Sequence, residues 1–137
     1  MMTKFYDTSS LLAIGEAAFK ECFAISSITL KELERIKTAS NKDPDIKYAA
    51  RQLLRLFNDE DCYTICIHTL DIEDPIREAN IDITDDTRIL SDAISFNSKI
   101  PIVFITNDLS LKAIASLFLP NNQISSLTLD DDEYLGY

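Results

Sequence analysis

The sequence predicts one α/β domain with a central, largely parallel sheet. Three observations carry that reading. Short apolar runs of strand length alternate with longer stretches of helical periodicity, the pattern of strands covered by helices. The connecting stretches are long enough for the crossovers that parallel neighbours require. Glycine and proline number only two and four in 137 residues, which favours long regular elements over a turn-rich all-β fold.

The elements follow in order. A short apolar stretch in "KFYDTSSLLAIG" predicts a strand over 3–6 and, past Asp7, a helix over 8–20. A strand over 22–26 leads into a helix over 28–39. The helix over 44–57 is the clearest, because Ile46, Ala49, Ala50, Leu53, Leu54 and Phe57 share one face at helical spacing. Pro44 stands near its start, where helices accept proline. "CYTICIHT" alternates and predicts a strand over 62–67, followed by helices over 72–79 and 86–98. Ile102, Val103, Phe104, Ile105 and Thr106 form a buried strand over 101–106 that halts at Asn107 and Asp108. A helix over 108–118 and a short strand over 124–128 complete the order. The domain is expected to occupy 1–129, with "DDDEYLGY" (130–137) as an acidic C-terminal tail.

Composition narrows the classes. Apolar content of 46% with 26% charged residues is that of a globular chain. No apolar run approaches the ~18 residues of a membrane-spanning helix. The first residues lack a charged segment followed by an apolar leader, so the expected address is cytoplasmic, away from membranes. A net charge of −10 discourages non-specific nucleic-acid binding through charge alone, unless the cations gather on one side. Basic residues slightly outnumber acids through residue 57, whereas acids dominate 58–92. Cys62 and Cys66, four apart on one strand, lie ~13 Å from each other, too far for one ion or one disulfide. Cys22, Cys62 and Cys66 are therefore expected to be reduced core thiols. His68, the only histidine, is expected in a surface or partly buried structural role.

In a parallel sheet every strand-to-helix turn emerges on the carboxyl edge, where open α/β folds bind ligands. Asp7, Glu32, Asp86 and Asp108 all fall there. Each alone has an innocent use as a helix cap or first-turn acid. Together, carboxylates within ~4–6 Å would repel and raise one another's pKa values, and a divalent cation is the usual resolution. Oxygen donors without a His or Cys cluster suit Mg²⁺ or Mn²⁺ rather than Zn²⁺. Asp85 competes with Asp86 for the third position. Asp92, six residues on and on another helical face, is expected to be solvated.

"YDTSSLL", "ITLKELERIK", "DDTRILSDAI" and "VFITNDLSLKAIA" resemble the successive signature blocks of PIN-domain ribonucleases. The likeness is closest to PIN domains found ahead of PhoH-type ATPases and more distant to VapC-like toxins. "IKYAARQLLRLF" is similar to the helix between the second and third blocks, so the resemblance covers most of 3–118. It implies a PIN-like three-layer α/β/α fold and a Mg²⁺- or Mn²⁺-dependent endoribonuclease leaving 5′-phosphates. It implies catalytic metal ligands at Asp7, Glu32, Asp86 and Asp108, with the Thr106 hydroxyl supporting the metal–water network. Asp86 is preferred to Asp85 because the family's acid stands just before the Xaa-Arg-Ile-Leu run.

Lys47, Arg51 and Arg55 recur at i, i+4 and i+8 beside the apolar face of their helix, after Lys31, Arg35, Lys37 and Lys42. They are the expected contacts for a nucleic-acid backbone. RNA is the expected partner. Other readings are a toxin held by an antitoxin, or an inert PIN-like scaffold that binds RNA or protein, and the resemblance also allows a homodimer. A receiver-type phosphoacceptor fits less well, since "FITND" supplies an acid where that class needs lysine.

Overall fold

The inner strands bury apolar residues on both faces, Phe5 and Tyr6, Ala24 and Ile25, Phe104 and Ile105, as a sheet covered on both sides demands. In the computed structural model, which describes residues 2–127, five strands pair in parallel in the order β3-β2-β1-β4-β5. They are β1 (Thr3–Tyr6), β2 (Phe23–Ser26), β3 (Tyr63–Cys66), β4 (Ile102–Ile105) and β5 (Ile124–Ser125). The helices are α1 (Thr8–Ile14), α2 (Ser27–Thr38), α3 (Pro44–Asp59), α4 (Asp74–Glu78), α5 (Asp85–Asn97) and α6 (Leu109–Ala115).

Side-chain alternation along the strands assigns the helices to two layers. Phe5, Ala24, Ile102 and Phe104 face one way and pack with Ile76, Ile89, Leu90, Ala93, Leu111 and Ala115 from α4, α5 and α6. Tyr6, Phe23, Ile25 and Ile105 face the other way and pack with Leu11, Leu12, Leu33, Ala50, Leu53 and Phe57 from α1, α2 and α3. The result is the three-layer α/β/α arrangement expected from the sequence. β1 sits at the centre, and the chain passes from it to β2 on one side and later to β4 on the other. The switch point of the sheet is therefore the crevice above the carboxyl ends of β1 and β4.

Several element limits differ from those expected. The helix over 8–20 breaks at Gly15, whose φ of 61° lies in the left-handed region open to glycine, and a 3₁₀ segment (Gly15–Lys20) follows. The helix over 72–79 divides into a 3₁₀ turn (Leu70–Glu73) and the short α4, with Pro75 in its first turn. α6 stops at Ala115, short of 118. The domain limit at 129, the tail 130–137 and residue 128 of the last strand lie outside the described residues. Among the described residues no helix is long and apolar enough to cross a membrane.

Two expectations about buried chemistry are overturned. Cys22 and Cys62 are not reduced core thiols: they form a disulfide with Cα atoms 4.7 Å apart. Phe23 pairs with Tyr63, so the cysteines, each one residue before its strand, stand side by side at the amino edge. Cys66 alone keeps the expected state, a half-buried free thiol whose pKa burial and the neighbouring Asp92 charge push up to about 11. The second overturned expectation concerns Asp92, which is completely buried rather than solvated. Its face of α5 is covered by β2 and by the segment after β3, through contacts with Ser26 and His68.

The bridge closes a segment with a sequence separation of 40, for which loop entropy gives about 4 kcal/mol. Reduction by dithiothreitol, or Cys62→Ser, is expected to lower the unfolding free energy by about 2–4 kcal/mol in urea titrations. An unchanged midpoint would mean that the bond contributes nothing to the folded state in solution.

Candidate active site

Asp7 is placed by β1 itself. The backbone ladder continues one step past the strand, where Asp7 N–H donates to the Ile105 carbonyl at 3.1 Å, and the side chain then caps α1. Ser10 N–H donates to Asp7 Oδ1 at 2.9 Å and Thr106 Oγ1 donates to Oδ2 at 2.6 Å. Ser10 Oγ is buried beside it without a well-formed hydrogen bond among the described residues. Burial raises the Asp7 pKa despite these donors, and the Asp108 charge adds to the rise.

Asp108 follows β4, the neighbour of β1. It caps α6, accepting from Leu111 N–H at 3.0 Å, while its own N–H donates to Thr106 Oγ1 at 3.1 Å. The fully buried Thr106 hydroxyl thus links the two acids, giving its proton to Asp7 and taking one from the Asp108 backbone. Capping and site geometry are not alternatives here: the cap holds each carboxylate at the mouth of the crevice.

Glu32 reaches the same edge from the middle of α2. Thr8 Oγ1 donates to Glu32 Oε1 at 2.5 Å, and Thr29 lies 3.0 Å from the Thr8 hydroxyl. Partial burial raises the Glu32 pKa, and the charges of Asp85 and Asp86 push in the same direction. Thr8 and Thr29 were not singled out from the sequence. The signal available was their setting: Thr8 directly follows Asp7, and Thr29 lies three residues before Glu32 on one helical face.

The choice between Asp85 and Asp86 now has a physical basis. Neither caps α5; Thr84 does, through a reciprocal box with Thr87. Asp85 turns to cations, with Arg88 Nη1 at 3.1 Å, Lys31 Nζ at 3.7 Å and Arg35 Nη1 at 3.8 Å. Asp86 points instead into a cleft with Thr84, Thr87, Asp108 and Ser110. One side of Asp86 meets solvent, yet the cleft strips part of its hydration, and Asp7, Asp108 and Asp85 repel its charge. Its pKa is raised accordingly.

The four carboxylates, from four elements, lie near enough to act on one another electrically, and Asp86 and Asp108 line one cleft. They are not drawn into a finished cage: among the described residues no three His, Cys, Asp or Glu side chains are gathered closely enough to hold an ion. The donor set nevertheless fits a hard divalent cation. It is all oxygen, it is mutually repelling, and a carboxylate that accepts one or two hydrogen bonds keeps lone pairs for a metal.

The basic stripe is placed differently. Lys47, Arg51 and Arg55 lie along the surface of α3, and Arg55 lines an apolar cleft with Gly15 and Glu16. α1 leaves the carboxyl edge at Asp7 and ends at Gly15, so the Arg55 end of the stripe is remote from the acids. His68 is partly buried, clamped between Glu73 and Asp92.

Fold and crevice together define a three-layer α/β domain with a carboxylate site at its switch point. A family model described as the PIN domain matches residues 6–118, most of the chain, and the chain belongs to the PIN-domain family. PIN domains are generally nucleases, typically using divalent metals. No curated protein and no solved structure gives a significant match.

Proposed function

We propose that the protein is an endoribonuclease that hydrolyses RNA phosphodiester bonds at the crevice above β1 and β4, with Asp7, Glu32, Asp86 and Asp108 as the ligands of Mg²⁺ or Mn²⁺. The observation that carries the reading is the convergence of four acids from separate elements on one switch point, where three have pKa values raised chiefly by lost hydration and further by one another. Such an arrangement costs stability unless a cation compensates it. The bound ion supplies an activated water and neutralises charge on the phosphoryl oxygens.

The chain's own residues do the positioning. Thr106 and the Ser10 amide fix the plane of the Asp7 carboxylate, and Thr8 fixes Glu32. Asp86 and Asp108, both exposed, stand at the mouth where a substrate phosphate arrives. Lys47, Arg51 and Arg55 are assigned to more distant phosphates of a longer strand. The signature blocks favour the PhoH-associated type, so a nuclease of that type rather than a toxin is the form proposed.

Incubation with end-labelled single-stranded RNA in Mn²⁺ is expected to give internal cuts with 5′-phosphate ends, abolished by EDTA and restored by added Mn²⁺ or Mg²⁺. Cleavage that persists in chelator would overturn the assignment of the acids as metal ligands. No cleavage of any RNA in either metal would overturn the activity.

A further inference from the structure

A second cleft adjoins the acids. It lies between the C-terminal half of α2 and the loop entering α3, has a volume of about 300 Å³, and is lined by Glu32, Arg35, Ile36, Ala39, Asn41 and Lys42. That volume is at the lower end of ligand pockets. Glu32 belongs both to this cleft and to the candidate site, so the two are continuous. Arg35 stands on their border, its Nη1 3.8 Å from Asp85, the neighbour of Asp86, with 64% of its side chain still exposed. The cleft thus combines a guanidinium, an ammonium and a carboxamide with an apolar wall from Ile36 and Ala39.

We infer that this cleft is a phosphate subsite, seating a phosphate of the RNA strand beside the scissile bond through Arg35, Lys42 and Asn41; the inference rests on the nuclease reading. Three physical points support it. A polyanion approaching four carboxylates needs cations at the border of the acidic region, and Arg35 is fixed at that border by Asp85. A guanidinium presents paired donors that match phosphate geometry, with Lys42 adding a point charge. Arg55, at the other end of the α3 stripe, lines a different cleft with Gly15 and Glu16 and is not the cation at this border.

The test uses Arg35→Gln/Lys42→Gln, since neutral residues avoid a new repulsion with Asp85, alongside Arg35→Lys/Lys42→Arg and Lys47→Gln/Arg51→Gln/Arg55→Gln. Binding of a fluorescein-labelled single-stranded oligoribonucleotide is followed by anisotropy across a salt series in an Asp86→Asn background. Steady-state cleavage is measured without that change. The neutral pair is expected to melt like the wild type, keep kcat within about twofold and raise KM about tenfold, as loss of uniform binding does. Its log–log salt slope should fall by about 0.7, one single-strand phosphate contact. The charge-preserving pair should restore both. Unchanged KM and slope in the neutral pair, with the wild type active, would overturn the subsite and leave the nuclease standing. A wild-type chain that neither binds nor cuts RNA would overturn both.

Discussion

His68→Ala is expected to destabilise the protein by about 3 kcal/mol. Both ring nitrogens face carboxylates: Nδ1 lies 2.9 Å from Asp92 Oδ1 and Nε2 lies 2.6 Å from Glu73 Oε2. Only the imidazolium donates from both nitrogens, the form that the raised His68 pKa favours, while burial raises the Asp92 pKa and His68 lowers that of Glu73. The acids do not depend on it equally. Glu73 also receives Arg77 Nη2 at 2.6 Å and Arg88 Nε at 3.2 Å. Among the described residues, Asp92 has the Ser26 hydroxyl, at 2.5 Å, as its one further side-chain donor. Removing the ring would leave Asp92 buried and poorly compensated. Adding Asp92→Asn to His68→Ala should therefore recover part of the loss, and a double-mutant cycle in urea measures it. Strict additivity would show that the two side chains act independently.

The same clamp sets a pH dependence. Burial drives the His68 pKa down, but the hydrogen bonds to Glu73 and Asp92, with their charges, outweigh it and hold the ring above the ordinary histidine value. A raised folded-state pKa means that the contribution is complete below the unfolded value, about 6.5, and is lost as pH rises through the folded one. Glu73 runs the other way: His68 and Arg88 lower its pKa, so its contribution is present above the unfolded carboxylate value and is lost in acid. Melting temperatures should fall as pH rises above about 6.5 and through the raised folded value in the wild type, and that limb should flatten in His68→Ala.

The positions of Asp7 and Asp108 and the layers around them were legible because they depend on local order. A strand that ends in an acid before a helical run places that acid on the carboxyl edge whatever the details of packing. What was not legible depends on which distant segments meet. Asp92 reads as solvated on a helical wheel, which contains no term for the segment after β3 folding back across α5. The disulfide needed the adjacency of β2 and β3 and their register. Once neighbours are known, two strands each preceded by cysteine bring the sulfurs together, but spacing along one strand says nothing of it. Asp85 and Asp86, by contrast, were separable in principle. Asp85 has Arg88 at i+3, whereas Asp86 meets Ile89 and Leu90 at i+3 and i+4 and is left to the cleft.

Asp86→Asn is expected to reduce RNA cleavage by at least about 100-fold while raising, not lowering, the melting temperature in EDTA. The two directions follow from one cause. The cleft removes part of the Asp86 hydration, and Asp7, Asp108 and Asp85 repel the charge that remains, so its carboxyl is held above the usual range. A neutral isostere removes that repulsion and leaves the shape. Because the folded pKa is raised, the metal-free protein also gains stability as pH falls towards the ordinary carboxylate range, and the variant should show less of this gain. Asp7→Asn should lose activity to a similar extent but gain less stability, because its two oxygens accept from Ser10 N–H and Thr106 and an amide reproduces that pairing only in part. Added Mn²⁺ should stabilise the wild type and have little effect on Asp86→Asn, since a ligand that binds only the folded state raises its apparent stability. Loss of activity together with a lower melting temperature would mark Asp86 as structural. Full activity in Asp86→Asn would remove it from the site.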